Sequence, residues 1–123
     1  LTFPLEIDYL QATRYQGEIC GAEVEWLCKP RSELQGRTVL VVDDILDEGH
    51  TLAAVLDYCR QAGASRVFSA VLVTKSHASL ASGVTADFVG LEVEDRYVFG
   101  LGMDYKGYLR NLNGIYALGE PTG

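Results

Sequence analysis

The sequence has 123 residues, of which 48% are hydrophobic, and its ten basic and seventeen acidic side chains give a net charge of −7. This length and composition suit one compact domain with its own apolar core. The negative charge disfavours nucleic acid as a partner, and the absence of any apolar run near the roughly 18 residues of a membrane span disfavours a membrane.

The N-terminal part of the chain has the least regular pattern. Residues Leu5–Tyr9 predict a short strand, whereas residues 12–30 mix glycines, acidic side chains and Trp26 with only weak alternation. We interpret this second stretch as a mobile or hairpin-like loop. Because the sequence begins with Leu1 rather than methionine, we expect the single domain of residues 1–123 to lack an N-terminal portion.

The middle of the chain predicts a strand, a helix and two more strands. The apolar, β-branched run Val39–Val42 predicts a strand that is buried on both faces. An amphipathic helix should follow and end near Gly63, and its apolar positions are Leu52, Val55, Leu56 and Cys59. Apolar runs at residues 67–73 and 88–93 predict the other strands. This order indicates a βαβ unit, a parallel sheet and the α/β fold class.

The turn between the first of these strands and the helix, Asp43–Thr51, has the strongest functional pattern. It lies beyond the carboxyl end of a parallel strand, where α/β sheets bind ligands. Gly49 lets a ligand approach the backbone, and the helix amides and the Thr51 hydroxyl attract phosphate. The turn also holds three carboxylates, Asp43, Asp44 and Asp47. Carboxylates accept hydrogen bonds from sugar hydroxyls and can hold Mg²⁺, so a sugar phosphate would satisfy both halves of the turn.

Two other interpretations of this turn stay open at this point. Phosphorelay receiver domains also carry an acidic pair after a buried strand, but their phosphoacceptor aspartate ends the next strand, which here runs into Thr74 and Lys75. A solvated helix-capping turn explains Gly49 and Thr51 separately, but it does not explain the whole nine-residue pattern.

The cysteines and histidines indicate neither disulfides nor a metal site. The three cysteines form no CxxC pair, and together with His77 they match no metal-ligand spacing. We therefore expect reduced thiols in a cytoplasmic protein.

Residues Val39–Thr51, VLVVDDILDEGHT, resemble the phosphoribosyl pyrophosphate (PRPP) signature of the type I phosphoribosyltransferases. The order of features from Ile7 to Leu118 resembles the hypoxanthine-guanine branch of that family. The resemblance implies a Rossmann-like parallel sheet flanked by helices. It also implies an enzyme of purine salvage that uses Mg²⁺, converts hypoxanthine or guanine and PRPP to IMP or GMP and pyrophosphate, and forms a homodimer or homotetramer. The alternative is a non-catalytic regulator that senses PRPP or a nucleotide with the same loop.

The resemblance also implies roles for the residues of the acidic turn. Asp43 and Asp44 would hold the ribose hydroxyls and would be metal ligands, and Asp47 would be the general base near N7 of the purine. The 5′-phosphate would lie against the last four residues of the turn, which are Glu48, Gly49, His50 and Thr51. The family often has a small hydroxyl residue where this chain has Glu48, so the Glu48 carboxylate should point away from the phosphate.

Further along the chain, the resemblance implies a base pocket and a pyrophosphate site. Lys75 would donate to O6 of the purine, Tyr97 would stack on the base and the backbone of Val98 would contact position 2. Asp104 would bind a second Mg²⁺ and Arg110 would meet the pyrophosphate. Residues 12–30, where Arg14 and Tyr15 match the family's loop region, would form a flexible lid. The family's pyrophosphate-contacting loop has no match in this sequence.

Overall fold

The computed structural model describes residues 2–14, 24–76 and 83–119. These ranges hold a two-stranded antiparallel hairpin, a three-stranded parallel sheet with one helix, and a short antiparallel pair. The elements are β1 (Gln11–Arg14), β2 (Val24–Cys28), β3 (Thr38–Leu46), α1 (His50–Gln61), β4 (Arg66–Lys75), β5 (Phe88–Val93), β6 (Val98–Phe99) and β7 (Tyr116–Ala117). The parallel sheet with its helical crossover confirms the α/β prediction.

The core of the fold is the β3–α1–β4 unit. β3 and β4 run parallel from the pair Thr38 and Arg66 to the pair Leu46 and Thr74, and β5 adds to the other side of β4. All four predicted apolar positions of α1 are buried, and they are Leu52, Val55, Leu56 and Cys59. Gly63, just after the helix, has a φ of 91°, a conformation that glycine adopts without strain, and α1 ends where the sequence predicts. At 12 residues, α1 is too short to cross a membrane.

A second apolar cluster fixes the C-terminal segment to the sheet. Val73 of β4 is fully buried and packs with Val98 and Met103, while Ile45 and Ile115 contact this group from its edges. The cluster therefore holds the segment after β5 close to the carboxyl ends of β3 and β4, where the acidic turn begins.

Two of the predictions about strands are wrong. Residues Leu5–Tyr9 form no strand. The Asp8 carboxylate accepts a hydrogen bond from the backbone N–H of Tyr9 at 2.7 Å, which takes one donor from a strand ladder, and another from the N–H of Ser32 at 2.6 Å, which ties the segment to Ser32. β3 is not buried on both faces, since Val42 is 72% exposed and Leu40 is 40% exposed. α1 packs on the opposite face of β3. Within the described residues, the face that carries Leu40 and Val42 is left open.

The region 12–30 forms a hairpin in its described part. β1 and β2 pair antiparallel, and the rings of Trp26 in β2 and Tyr58 in α1 lie with their centroids 4.8 Å apart. This contact packs the hairpin against α1. Residues 15–23, which include Tyr15 and Cys20, lie outside the described residues, as does His77, so the predicted lid mobility stays a prediction.

Candidate functional site

The acidic turn, Asp43–Thr51, is shorter as a loop than the sequence predicts, because β3 continues through Asp43 and Asp44 to Leu46 and α1 begins at His50. The whole stretch lines a pocket. The pocket has a volume of about 320 Å³ and is lined by residues 43–52. Gly49 is the N-cap of α1 with a φ of 87°, and no side chain caps the helix at this position. The first turn of α1 also carries no acidic side chain. Uncapped amides and the positive end of the helix dipole make this end of the pocket suitable for an anion.

The other end of the pocket carries two adjacent carboxylates. The backbone N–H of Asp44 donates to Oδ1 of Asp43 at 2.8 Å. Burial, reinforced by the neighbouring Asp44 carboxyl, raises the pKa of Asp43 from 3.8 to about 6. Asp43 is therefore ionised at neutral pH at a free-energy cost, and hydrogen-bond donors such as ribose hydroxyls would relieve that cost.

Glu48 and His50 lie next to each other at the end of the pocket where α1 begins. Oε2 of Glu48 is 3.9 Å from Nε2 of His50, which makes an ion pair only when the imidazole is protonated. The Glu48 carboxylate is thus directed towards the imidazole of His50.

The side chain of Lys75, the last residue of β4, reaches the acidic turn. Its Nζ lies 3.2 Å from Oδ2 of Asp47, and the Lys75 side chain is only 10% exposed. The same ammonium group lies 3.9 Å from Oδ1 of Asp95, which follows β5. One nearly buried cation therefore stands between two carboxylates at the carboxyl edge of the sheet, with Asp47 the closer.

Tyr97 and Val98 differ in how much of each side chain a ligand could reach. Tyr97 is 48% exposed, its hydroxyl donates to the backbone carbonyl of Asp104 at 2.8 Å, and the Tyr105 ring meets it edge-on at 5.9 Å. Val98 is buried beside Val73, so a contact between Val98 and a base would use the backbone.

Asp104 and Arg110 lie together in the segment after β6. Oδ1 of Asp104 is 3.6 Å from the Arg110 guanidinium, and Oδ2 accepts a hydrogen bond from the backbone N–H of Gly107 at 2.7 Å. Arg110 also donates to the carbonyl of Gly102 at 2.9 Å. Asp104 and Arg110, for which the resemblance implies contacts with metal and pyrophosphate, thus form one ion pair.

The phosphoribosyl transferase domain family matches residues 2–106 of the chain. The chain belongs to the phosphoribosyltransferase family. This membership confirms the resemblance to the type I phosphoribosyltransferases and excludes the receiver-domain interpretation of the acidic turn.

Relatives from the hypoxanthine-guanine branch match almost the whole of this chain. The hypoxanthine-guanine phosphoribosyltransferases of Homo sapiens and Mus musculus are each 31% identical over 120 residues, which are 97% of this chain and 55% of each relative. The chain therefore spans about half the length of these relatives.

Solved phosphoribosyltransferase structures share the fold of this chain. A hypoxanthine phosphoribosyltransferase of Staphylococcus aureus superposes with a TM-score of 0.87 at 27% identity, over 96% of this chain and 64% of that one. A variant of the Trypanosoma cruzi enzyme complexed with the product IMP gives a TM-score of 0.85 at 25% identity, over 98% of this chain and 60% of that one. These matches confirm the predicted fold of the family.

Sequence reasoning missed one carboxylate beside Lys75. Asp95 was assigned no role, although it lies 3.9 Å from the Lys75 ammonium. A signal was present, because residues that follow parallel strands meet at one edge of the sheet and Asp95 closely follows β5.

The carboxylates of the site suit Mg²⁺ only as a partial ligand set. Asp43, Asp44 and Asp104 offer the oxygen donors that Mg²⁺ prefers. Within the described residues, no three side chains of His, Cys, Asp or Glu are grouped to hold a metal ion. The chemistry of these donors therefore fits an ion that takes one or two ligands from the protein and the others from water and substrate phosphates.

Proposed function

We propose that this chain forms the nucleotide-binding and base-binding part of a hypoxanthine-guanine phosphoribosyltransferase, which converts hypoxanthine or guanine and PRPP to IMP or GMP and pyrophosphate. The observation that carries the proposal is the pair of Lys75 and Asp47, 3.2 Å apart beside the pocket of residues 43–52. A cationic donor next to a carboxylate acceptor complements O6 and a protonated N7 of a 6-oxopurine. The amino group of adenine would instead face the Lys75 donor, a polar mismatch that discriminates strongly.

The chemical step needs an anionic leaving group and a shielded cationic centre. A purine ring nitrogen attacks C1 of PRPP, the bond from C1 to the pyrophosphate oxygen breaks, and its electron pair leaves with pyrophosphate. The proton that the purine gives up passes to Asp47, whose carboxylate is held beside Lys75. When bound, Mg²⁺ supplies positive charge against the leaving pyrophosphate; Asp43 and Asp44 would hold one ion, and Asp104 would hold a second.

The rest of the pocket would bind and orient the substrates. Asp43 and Asp44 would accept hydrogen bonds from the ribose hydroxyls, and the uncapped amides between Glu48 and Thr51 would hold the 5′-phosphate. Such binding of parts that do not react fixes the position of C1.

At the base, the half-exposed Tyr97 ring would stack on the purine, and the Val98 backbone would contact position 2. Arg110 would exchange part of its pairing with Asp104 for the pyrophosphate. We also propose that residues 12–30 form a lid over the site, and that the protein works in the cytoplasm as a homodimer or homotetramer.

The test is an absorbance assay of IMP and GMP formation from PRPP, Mg²⁺ and hypoxanthine or guanine, with adenine as the discriminating base. Replacing Asp47 by Asn should lower kcat about 10²- to 10⁴-fold, the usual contribution of a general base. Asp57→Asn is the matched control, because Asp57 is exposed on α1 and pairs with Arg60 at 3.3 Å. This control should keep full activity.

Two results would count against the proposal. Equal activity of Asp47→Asn and the wild-type protein would remove Asp47 from the mechanism. Binding of PRPP and nucleotide without turnover of any purine would favour the non-catalytic sensing regulator.

A further inference from the structure

The segment that carries Asp104 has an unusual backbone. Within residues 100–109, six residues have positive φ angles between 48° and 96°, and they are Gly100, Leu101, Gly102, Lys106, Gly107 and Leu109. Leu101, Lys106 and Leu109 have side chains that disfavour this conformation. Such a backbone persists only where surrounding contacts hold it. The orientation of the Asp104 carboxylate therefore depends on the groups that anchor residues 100–107, which we term the Asp104 turn.

Backbone hydrogen bonds from the N–H groups of Leu101 and Gly102 to the carbonyls of Leu112 and Arg110, at 3.1 and 2.7 Å, hold part of the Asp104 turn. Four contacts that involve side chains add to them. The Met103 side chain is buried in the cluster around Val73, and the backbone N–H of Gly107 donates to the Asp104 carboxylate at 2.7 Å. Arg110 donates to the carbonyl of Gly102 at 2.9 Å. The fourth contact is the hydrogen bond from the Tyr97 hydroxyl to the carbonyl of Asp104 at 2.8 Å.

The fourth contact differs from the others because its donor belongs to the proposed base platform. The Tyr97 ring is half-exposed, and its far end is fixed to the backbone of Asp104. A phenylalanine would offer a similar face for stacking but no hydroxyl to donate. One hydrogen bond therefore links the Tyr97 ring to Asp104, whose carboxylate in turn pairs with Arg110.

We propose that the Tyr97 hydroxyl is a positioning group that couples stacking on the base to the placement of Asp104 and Arg110 for the pyrophosphate end of the substrate. This inference rests on the proposed function. It assigns to the hydroxyl a role that stacking alone does not require.

The first test is hydrogen exchange at the Gly107 amide, measured without ligand and with GMP. The change is Tyr97→Phe, and the matched control is Tyr108→Phe, which removes a hydroxyl that is bonded to no other group within the described residues. Losing one hydrogen bond should speed exchange at Gly107 about fivefold in Tyr97→Phe and leave the control unchanged. GMP should slow this exchange in the wild-type protein and slow it much less in Tyr97→Phe.

The second test separates the two substrates kinetically. Tyr97→Phe should raise KM for PRPP about three- to tenfold while KM for the purine stays within about twofold. The variant keeps the ring face that stacks on the base, but it loses the hydrogen bond that fixes the Asp104 turn. A purely structural role would change both constants together or neither.

Each outcome decides the inference. Unchanged exchange at Gly107, or an equal rise in both KM values, would overturn the coupling. If the wild-type protein transfers nothing, the proposed function fails, and the exchange data with GMP still decide the coupling: protection lost in Tyr97→Phe supports it, and protection equal in both proteins refutes it.

Discussion

Replacing Asp43 by Asn should stabilise the fold at neutral pH. The unfolded chain loses the Asp43 proton near pH 3.8, whereas burial and Asp44 raise the pKa to about 6 in the folded protein. The folded state therefore binds more protons between these values, and the contribution of Asp43 to stability, fully present below pH 3.8, is lost as the pH rises through 6.

The magnitude follows from the shift in the pKa of Asp43. A shift of about two units corresponds to about 3 kcal/mol as an upper limit. Asp43 is also more than a third exposed, so solvent screening reduces this value, and about 1 kcal/mol is expected at pH 7.5. Asparagine mimics the neutral carboxyl, so the gain should be close to zero at pH 4.

The assay is urea unfolding of the wild-type protein and Asp43→Asn at pH 4 and pH 7.5, with chelator present and PRPP absent. Asp57→Asn, an exposed aspartate on α1, is the control and should show no gain at either pH. A free-energy difference between Asp43→Asn and the wild-type protein that is equal at both pH values, or a loss of stability at pH 7.5, would refute the reasoning. The same variant should bind PRPP more weakly, since it removes an acceptor for the ribose hydroxyls.

Two further predictions concern backbone and hydrogen bonding. Gly49→Ala should lose about 1 kcal/mol or more of unfolding free energy and bind PRPP more weakly, because Gly49 has a φ of 87° that disfavours any side chain. Gly119→Ala is the control, since there is open space around the new methyl group. Equal urea midpoints for the two variants would contradict the prediction. Asp87→Ala should cost about 1–3 kcal/mol in urea unfolding, because it leaves the buried Ser69 without the carboxylate that accepts from its backbone N–H at 2.8 Å. A cost below about 0.5 kcal/mol would show that water or another group replaces that carboxylate.

The sequence by itself determined the elements whose side chains repeat at a regular spacing. Leu52, Val55, Leu56 and Cys59 predicted α1 because a helix repeats every 3.6 residues, and each of the four is buried. Lys75 ends the strand next to β3, and the carboxyl ends of parallel strands meet at one edge, so the direction of the strands already brings Lys75 to the same edge as Asp47.

Some failures of prediction came from what covers or replaces a regular element. The apolar run Val39–Val42 predicted burial on both faces, yet burial depends on which other segments pack there, and α1 covers one face only within the described residues. Leu5–Tyr9 has the alternation of a strand, but the Asp8 side chain accepts from the backbone N–H of Tyr9 and ties the segment to Ser32 instead.

Only the tertiary structure decided how the irregular segments meet the sheet. The approach of Asp95 to Lys75 and the bond from the Tyr97 hydroxyl to Asp104 depend on turns with positive φ angles and on the burial of Met103. Such turns have no repeating sequence pattern, and their φ and ψ angles are stabilised by tertiary contacts rather than by local sequence. The sequence therefore predicts which side chains belong to such a site. The distances of 3.2 and 3.9 Å from the Lys75 ammonium to Asp47 and Asp95 arise only when the whole domain is packed.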